Sequence, residues 1–214
     1  MEPEKPKTPD TGAVSSGQTL GEILRWVEEE PGRILEAFPG LPFAEQLGVL
    51  LLTPGQLRQD LLLSSPLAGE LVPMLPEQEV YLTLKEIGLE DALPMLSLMT
   101  REQLHYVNDL EAWHKENFEA PAFLKLIKMI HQCGEDKLAG WLDAADPELL
   151  VLLLKECGSV TKFDVTEDQV EEPVQHGSIT YDGFYRYYPK RPEFTPLLDP
   201  VLRVLKASHP ERYG

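Results

Sequence analysis

The stretch Gly88–Trp113, GLEDALPMLSLMTREQLHYVNDLEAW, decides the fold class of this chain. On either side of Thr100, apolar residues recur at the spacing of one helix face: Leu93, Leu96 and Met99 before it, and Leu104, Val107 and Leu110 after it. Gln103 follows Thr100 at the spacing of a capping box, which marks the start of a helix. The stretch therefore predicts two short helices joined at Thr100.

Weaker copies of this stretch lie on both sides of it. Thr53 and Asp146 stand about 46 residues before and after Thr100, and each is predicted to cap a helix of its own. Further upstream in each copy, Pro76–Gly88 matches Pro121–Gly134. A period in the forties that is built from short helices is typical of α-solenoids. We therefore predict a mainly α fold, an α-solenoid with about three repeats of roughly 46 residues and a small C-terminal β-hairpin.

The chain is expected to divide into four segments. They are a disordered N-terminal tail at 1–18, the helical-repeat domain at 19–159, an acidic loop with a β-hairpin at 160–191, and an amphipathic helix at 192–214. The hairpin is predicted from SITYDGFYRYY at 178–188, where Asp182 and Gly183 suit a type I′ turn. Two interpretations of its aromatic residues stay open: they cap the end of the repeats, or they form an exposed strand edge that pairs with a partner.

The charge of the chain limits its partners. The formal net charge is −17 and the pI is about 4.6, with 43% hydrophobic residues. An acidic surface repels phosphate backbones and anionic lipid surfaces, so we expect no nucleic-acid partner. A protein partner with a basic surface or a cation fits this charge, and so does a simple role in solubility. The sequence leaves the oligomeric state open.

Targeting signals and transmembrane segments are not recognisable. The first 18 residues contain no apolar core of a signal peptide, and no apolar run approaches the ~20 residues that span a bilayer. We therefore expect a soluble, cytoplasmic protein with no membrane span. Cys133 and Cys157 show no metal-ligand spacing, and both are predicted to be buried, reduced thiols near helix ends.

Catalytic motifs are also not recognisable. The chain has no GxGxxG, GxxxxGK[ST], GxSxG or HExxH pattern, and no pair of its histidines is spaced i, i+4. We therefore predict no cofactor and no enzymatic activity, although residues far apart in sequence can still assemble an active site in the fold.

Two groups of residues are candidate binding sites. Asp109, Trp113 and His114 form the first, because a helix would place Asp109 and Trp113 one turn apart beside a groove. The alternative is that Trp113 fills the seam between repeats. The second group is a weak divalent-cation site of oxygen ligands, Asp164, Glu167, Asp168 and Glu171. It lacks the spacing of an EF-hand, and a solvated acidic linker explains it as well.

The motifs Gly88-x-Glu90-Asp91, Gln103-Leu104 and Asp109-x-x-x-Trp113 carry a resemblance. Over about residues 20–190 the chain resembles an uncharacterised bacterial helical-repeat family of unknown function. It is more distantly similar to the superhelical N-terminal domain of bacterial magnesium transporters, where acidic repeats help to sense cations. The resemblance implies no catalytic residue.

Three functions follow as hypotheses from these observations. The first is a protein-interaction scaffold that holds its partner on a concave surface of second helices such as Gln103–Leu110. The second is a divalent-cation-responsive regulatory module. The third is an enzyme of unrecognised type, which requires a pocket that gathers Asp109, Trp113, His114 or His131.

Overall fold

The structure is a computed structural model that describes residues 20–162 and 177–213; the predicted tail at 1–18 lies outside them. The described residues are mainly helical, as predicted, and form two compact units that divide between Leu75 and Pro76. Residues of the predicted domain 19–159 contribute to both units. Within the two described ranges, no helix combines the length and the apolar character that crossing a membrane requires.

The first unit is a set of short helices separated by prolines. Its elements are α1 (Leu20–Glu29), α2 (Pro31–Ala37), a 3-10 turn (Phe38–Gly40), α3 (Phe43–Leu52), α4 (Gly55–Ser64) and α5 (Ala68–Met74). Helix α2 packs on α1 and α4, and α3 packs on α5. Their apolar faces form the core, with Ile23, Ile34, Phe38, Val49, Leu50, Leu61, Leu62 and Leu71 fully buried. Helices of this length need such packing, because they are marginal in water alone.

The predicted cap at Thr53 is wrong. Pro54 precedes α4 instead, and the buried Thr53 hydroxyl donates to the Val49 carbonyl at 2.8 Å. The guanidinium of Arg58, only 2% exposed, donates to the Leu50 and Thr53 carbonyls at 2.9 and 2.7 Å. Both side chains therefore satisfy carbonyls at the C-terminal end of α3, which that helix cannot pair within itself.

The second unit contains most of the described residues. Its helices are α6 (Glu77–Ile87), α7 (Leu93–Leu98), α8 (Arg101–Glu111), α9 (Ala120–Gln132), α10 (Glu135–Ala144), α11 (Pro147–Cys157), α12 (Thr195–Ser208) and α13 (Pro210–Tyr213). Helix α9 is the central element, since it packs on α7, α8, α10, α11 and α12. Its Phe123, Leu124, Leu126, Ile127 and Ile130 are all buried. The C-terminal helix α12 therefore belongs to this core.

The predicted start of α8 is confirmed at Thr100. The Gln103 backbone N–H donates to the Thr100 hydroxyl at 3.2 Å, and the Thr100 N–H donates to the Gln103 side-chain oxygen at 2.9 Å. Asp146 caps α11 as predicted, because its carboxylate accepts from the Glu148 N–H at 2.8 Å. Gly88 follows α6 with a φ of 89°, a conformation that favours glycine.

A small two-stranded antiparallel sheet is present, as predicted, but the prediction paired the wrong strands. Strand β4 (Tyr185–Pro189) pairs along its length with β3 (Gly158–Lys162), and only Ile179 bridges its other side. A preceding two-stranded sheet, β1 (Trp113–His114) with β2 (Asn117–Phe118), was not predicted.

The contact between Tyr187 and Gly158 explains why β4 pairs with β3. A side chain at Gly158 would meet the Tyr187 ring and the Tyr188 carbonyl oxygen at 2.5 Å, so the ring lies over the glycine. The Tyr187 hydroxyl then donates to the Leu154 carbonyl of α11 at 2.8 Å. The Asp182 carboxylate still forms a turn by accepting from the Phe184 and Tyr185 N–H groups. Asp182 therefore forms the predicted turn, but this turn does not determine which strand pairs with β4.

Candidate functional site

An open groove of about 530 Å³ lies along α8. Seven residues line it: Glu77, Arg101, Glu102, His105, Tyr106, Asp109 and Ala144. Five of them come from α8, while Glu77 begins α6 and Ala144 ends α10. The opposite face of α8 is buried, with Leu104 and Val107 2% and 0% exposed. The amphipathic pattern of the helix thus turns its polar face towards the groove.

Carboxylates dominate the charge of this groove. Glu77, Glu102 and Asp109 contribute three negative charges at neutral pH against the one positive charge of Arg101. The Arg101 guanidinium already pairs with Asp143, at 3.3 Å between Nη1 and Oδ2. The pKa of Glu102 is lowered by a hydrogen bond from its own backbone N–H and by one from the Thr100 hydroxyl. The groove therefore has a net negative charge beside the capped N-terminus of α8.

An aromatic ring and an imidazole form the rest of the groove wall. Tyr106 is half-buried and meets Tyr81 of α6 edge-on, with 6.2 Å between ring centroids. His105 Nδ1 lies 3.2 Å from the Asp109 carboxylate, and both side chains are at least half exposed. The tyrosine is thus fixed by its neighbour, whereas the His105–Asp109 contact is open to solvent and contributes little to stability.

The structure places the predicted site residues in two locations. Asp109 lines the groove, but α8 ends at Glu111, so the prediction that Asp109 and Trp113 lie one turn apart on a helix is wrong. The chain instead turns at Lys115, with a φ of 59°, between β1 and β2. Trp113 and His114 lie in β1, and neither lines the groove.

Trp113 is not a buried plug between repeats, because the residue is 42% exposed. Its ring meets Phe118 edge-on at 5.6 Å, and Phe118 meets Phe123 at 5.8 Å. Phe123 in turn contacts the buried Trp141. A line of aromatic contacts therefore anchors the β1–β2 turn to the core, while the outer face of Trp113 stays open to solvent.

A second groove of about 310 Å³ lies on α11. Its lining consists of Pro147, Glu148, Val151, Leu152 and Lys155. Apolar side chains form its middle, and 49% of Val151 is exposed. None of the sequence patterns above predicts this groove. Applying the 46-residue offset between the starts of α8 and α11 to each lining residue of α8 marks these positions.

The residues of the predicted weak cation site, Asp164, Glu167, Asp168 and Glu171, lie outside the described residues. Within the described ranges, no group of three His, Cys, Asp or Glu residues is placed to hold a metal ion. Among the residues of the enzyme hypothesis, Asp109 lines the α8 groove and His131 does not.

The two thiols differ in exposure. Cys157 is buried, as predicted, and burial raises the pKa of its thiol to about 11. Cys133 is only half-buried, so the prediction of full burial is wrong for this residue. It follows the last turn of α9, where Sγ lies 3.4 Å from the Met129 carbonyl. Burial also raises the pKa of Cys133, so both thiols are protonated at neutral pH.

Comparison with known proteins identifies a family. A family model described as a family of unknown function, DUF6178, matches residues 36–214. No curated protein and no solved structure matches the chain. The comparisons support the resemblance to an uncharacterised family, and they give no support to the more distant resemblance to the magnesium-transporter domain.

Proposed function

We propose that this chain, which belongs to the family of unknown function DUF6178, is an interaction protein. Its proposed partner is a basic segment of another protein. The groove on α8 is the proposed contact, and it receives a cationic side chain of that segment. The observation that carries the proposal is the combination of three carboxylates with the ring of Tyr106 in one groove.

The chemistry of the groove suits a guanidinium better than an ammonium group. The carboxylates of Glu102 and Asp109 accept hydrogen bonds, and a planar guanidinium can donate two at once. Tyr106 lines the groove, and a guanidinium that stacked on its ring would gain about 0.5–1 kcal/mol at an exposed site. Because the groove is open, a single arginine is expected to bind only in the millimolar range, and a partner needs further contacts.

The bounds of the helices support a repeat arrangement as part of the proposal. Helices α4, α8 and α11 begin at Gly55, Arg101 and Pro147, each 46 residues after the last. Gly88 directly follows α6, and Gly134 lies two residues after the end of α9. The two glycines are 46 residues apart, and both have a positive φ. We propose that α8 and α11, which both belong to the second unit, are partner-facing second helices of a solenoid, the arrangement that helical-repeat proteins use. The two free cysteines suit a cytoplasmic location, where thiols stay reduced.

A small probe tests the groove directly. N-acetyl-arginine amide is titrated into ¹⁵N-labelled protein, with N-acetyl-citrulline amide as the neutral isostere and NaCl added to match ionic strength. We expect saturable shifts of amides in Arg101–Asp109 with the arginine probe and none with citrulline, because only the guanidinium carries a charge. Equal shifts with both probes, or shifts confined to other helices, contradict the proposal.

A further inference from the structure

The two grooves occupy the same face of equivalent helices. The α11 lining, Pro147, Glu148, Val151, Leu152 and Lys155, stands 46 residues after Arg101, Glu102, His105, Tyr106 and Asp109 of the α8 groove. Burial agrees position by position, since Val151 and His105 are exposed while Leu152 and Tyr106 are half-buried. Equivalent faces of neighbouring repeats are the surfaces that solenoids present to one ligand.

The chemistry changes between the two grooves. Glu148 preserves the acidic position of Glu102, but Val151 and Leu152 stand where the α8 groove has an imidazole and a phenol. Lys155 replaces the carboxylate of Asp109. The second groove therefore suits an aliphatic side chain, because exposed apolar surface is stabilised when another apolar group covers it.

The chain connects the two grooves over a short distance. Ala144 lines the first groove and Pro147 begins the second. Three residues span at most about 11 Å, and Val151 lies one helical turn further on, about 6 Å. A segment that reaches from Ala144 to Val151 therefore bridges at most about 17 Å, which is up to about five residues of extended chain.

We propose that one partner segment crosses both grooves, with an arginine in the α8 groove and a large aliphatic side chain over Val151 and Leu152, three to five positions apart. This inference rests on the proposed function of the α8 groove. Charge complementarity supports a separate basic partner over a second copy of this chain, because each copy has a net charge of −17.

Synthetic peptides test the inference. Acetylated, amidated Gly/Ser peptides carry one arginine and one leucine that are three, four or five positions apart. Matched peptides replace the leucine with alanine or the arginine with citrulline. For at least one spacing, we expect the leucine peptide to bind about threefold to tenfold more tightly than its alanine match. Its amide shifts should extend from α8 to Val151–Lys155.

A protein variant tests whether the higher affinity of the leucine peptide comes from the α11 groove. Val151→Ser should lower the affinity for the arginine–leucine peptide to that of the arginine–alanine peptide, and should leave the latter unchanged. Val160→Ser is the matched control, because Val160 is 56% exposed on β3 and lines neither groove, and it should affect neither peptide.

The possible outcomes separate the two proposals. If arginine peptides bind but leucine adds nothing at any spacing, or its gain survives Val151→Ser, the inference is wrong and the proposed function stands. If no arginine peptide binds more tightly than its citrulline match, the proposed function is wrong and the inference is lost with it.

Discussion

Gly158 is the residue on which the packing of β4 depends. Alanine at this position would bring its Cβ to 2.5 Å from both the Tyr187 ring and the Tyr188 carbonyl oxygen. Because one of these atoms is backbone, relief requires β4 to shift, and we expect Gly158→Ala to lower the free energy of unfolding by about 1–3 kcal/mol. Gly69→Ala in α5 is the control, since nothing lies within 4 Å of it. Equal stability of the two variants in urea unfolding would argue against this packing.

Cys157 makes stability depend on pH. Its pKa rises from 9.0 to about 11 on folding because burial disfavours the thiolate. The folded state therefore keeps a proton that the unfolded state loses, so the stabilisation is complete below pH 9 and falls as pH rises towards 11. We expect the difference in unfolding free energy between wild type and Cys157→Ala to shrink by about 1–2 kcal/mol from pH 8 to pH 10.5. Urea titrations at both values measure it, and a constant difference contradicts burial as the cause.

The capping box at Thr100 stabilises the start of α8, the helix that lines most of the groove. Thr100→Ala removes the acceptor of the Gln103 N–H, and we expect a loss of about 1 kcal/mol in unfolding free energy. Thr100→Ser keeps a hydroxyl in the same place and should retain most of the stability in chemical denaturation. A serine variant as unstable as the alanine variant would mean that the methyl group, and not the cap, contributes the stability.

Single elements were predictable where the determining contacts are local. Thr100 and Asp146 cap helices by bonding backbone groups two or three residues away, so their spacing in sequence was enough. The cap predicted at Thr53 is wrong because its hydroxyl donates to the Val49 carbonyl of α3, while the buried Arg58 donates to the Thr53 carbonyl. The pairing of β4 with β3 depends on the contact of Tyr187 with Gly158, and 29 positions of sequence separate these residues.

The candidate site was predictable in part for the same reason. The polar face of α8 follows from its apolar periodicity, and Asp109 belongs to that face. The end of the helix at Glu111, which takes Trp113 away from the groove, depends on the β1–β2 turn and its aromatic contacts with Phe123. No local sequence pattern predicts these contacts, because they join segments that pack together only in the folded unit.

The charge of the whole molecule predicts two opposite salt effects. Self-repulsion at a net charge of −17 opposes folding. Raising NaCl from 20 to 200 mM shortens the Debye length from roughly 22 to 7 Å, so it should raise the melting temperature by about 2–4 °C for each kcal/mol of repulsion screened. The same screening should weaken binding of N-acetyl-arginine amide. Calorimetry and titration check the two effects, and salt-independent binding would contradict an electrostatic groove.

The most direct test of the central claim is the affinity of Asp109→Asn protein for N-acetyl-arginine amide, measured by NMR titration. Asp136→Asn serves as the matched control, because Asp136 is exposed on α10 and does not line the groove. We expect the Asp109 variant to bind about threefold to tenfold more weakly than wild type, since one carboxylate contact of about 1 kcal/mol is lost, while the Asp136 variant is unchanged. Equal affinities for all three proteins would contradict the claim that the α8 groove binds a cationic side chain.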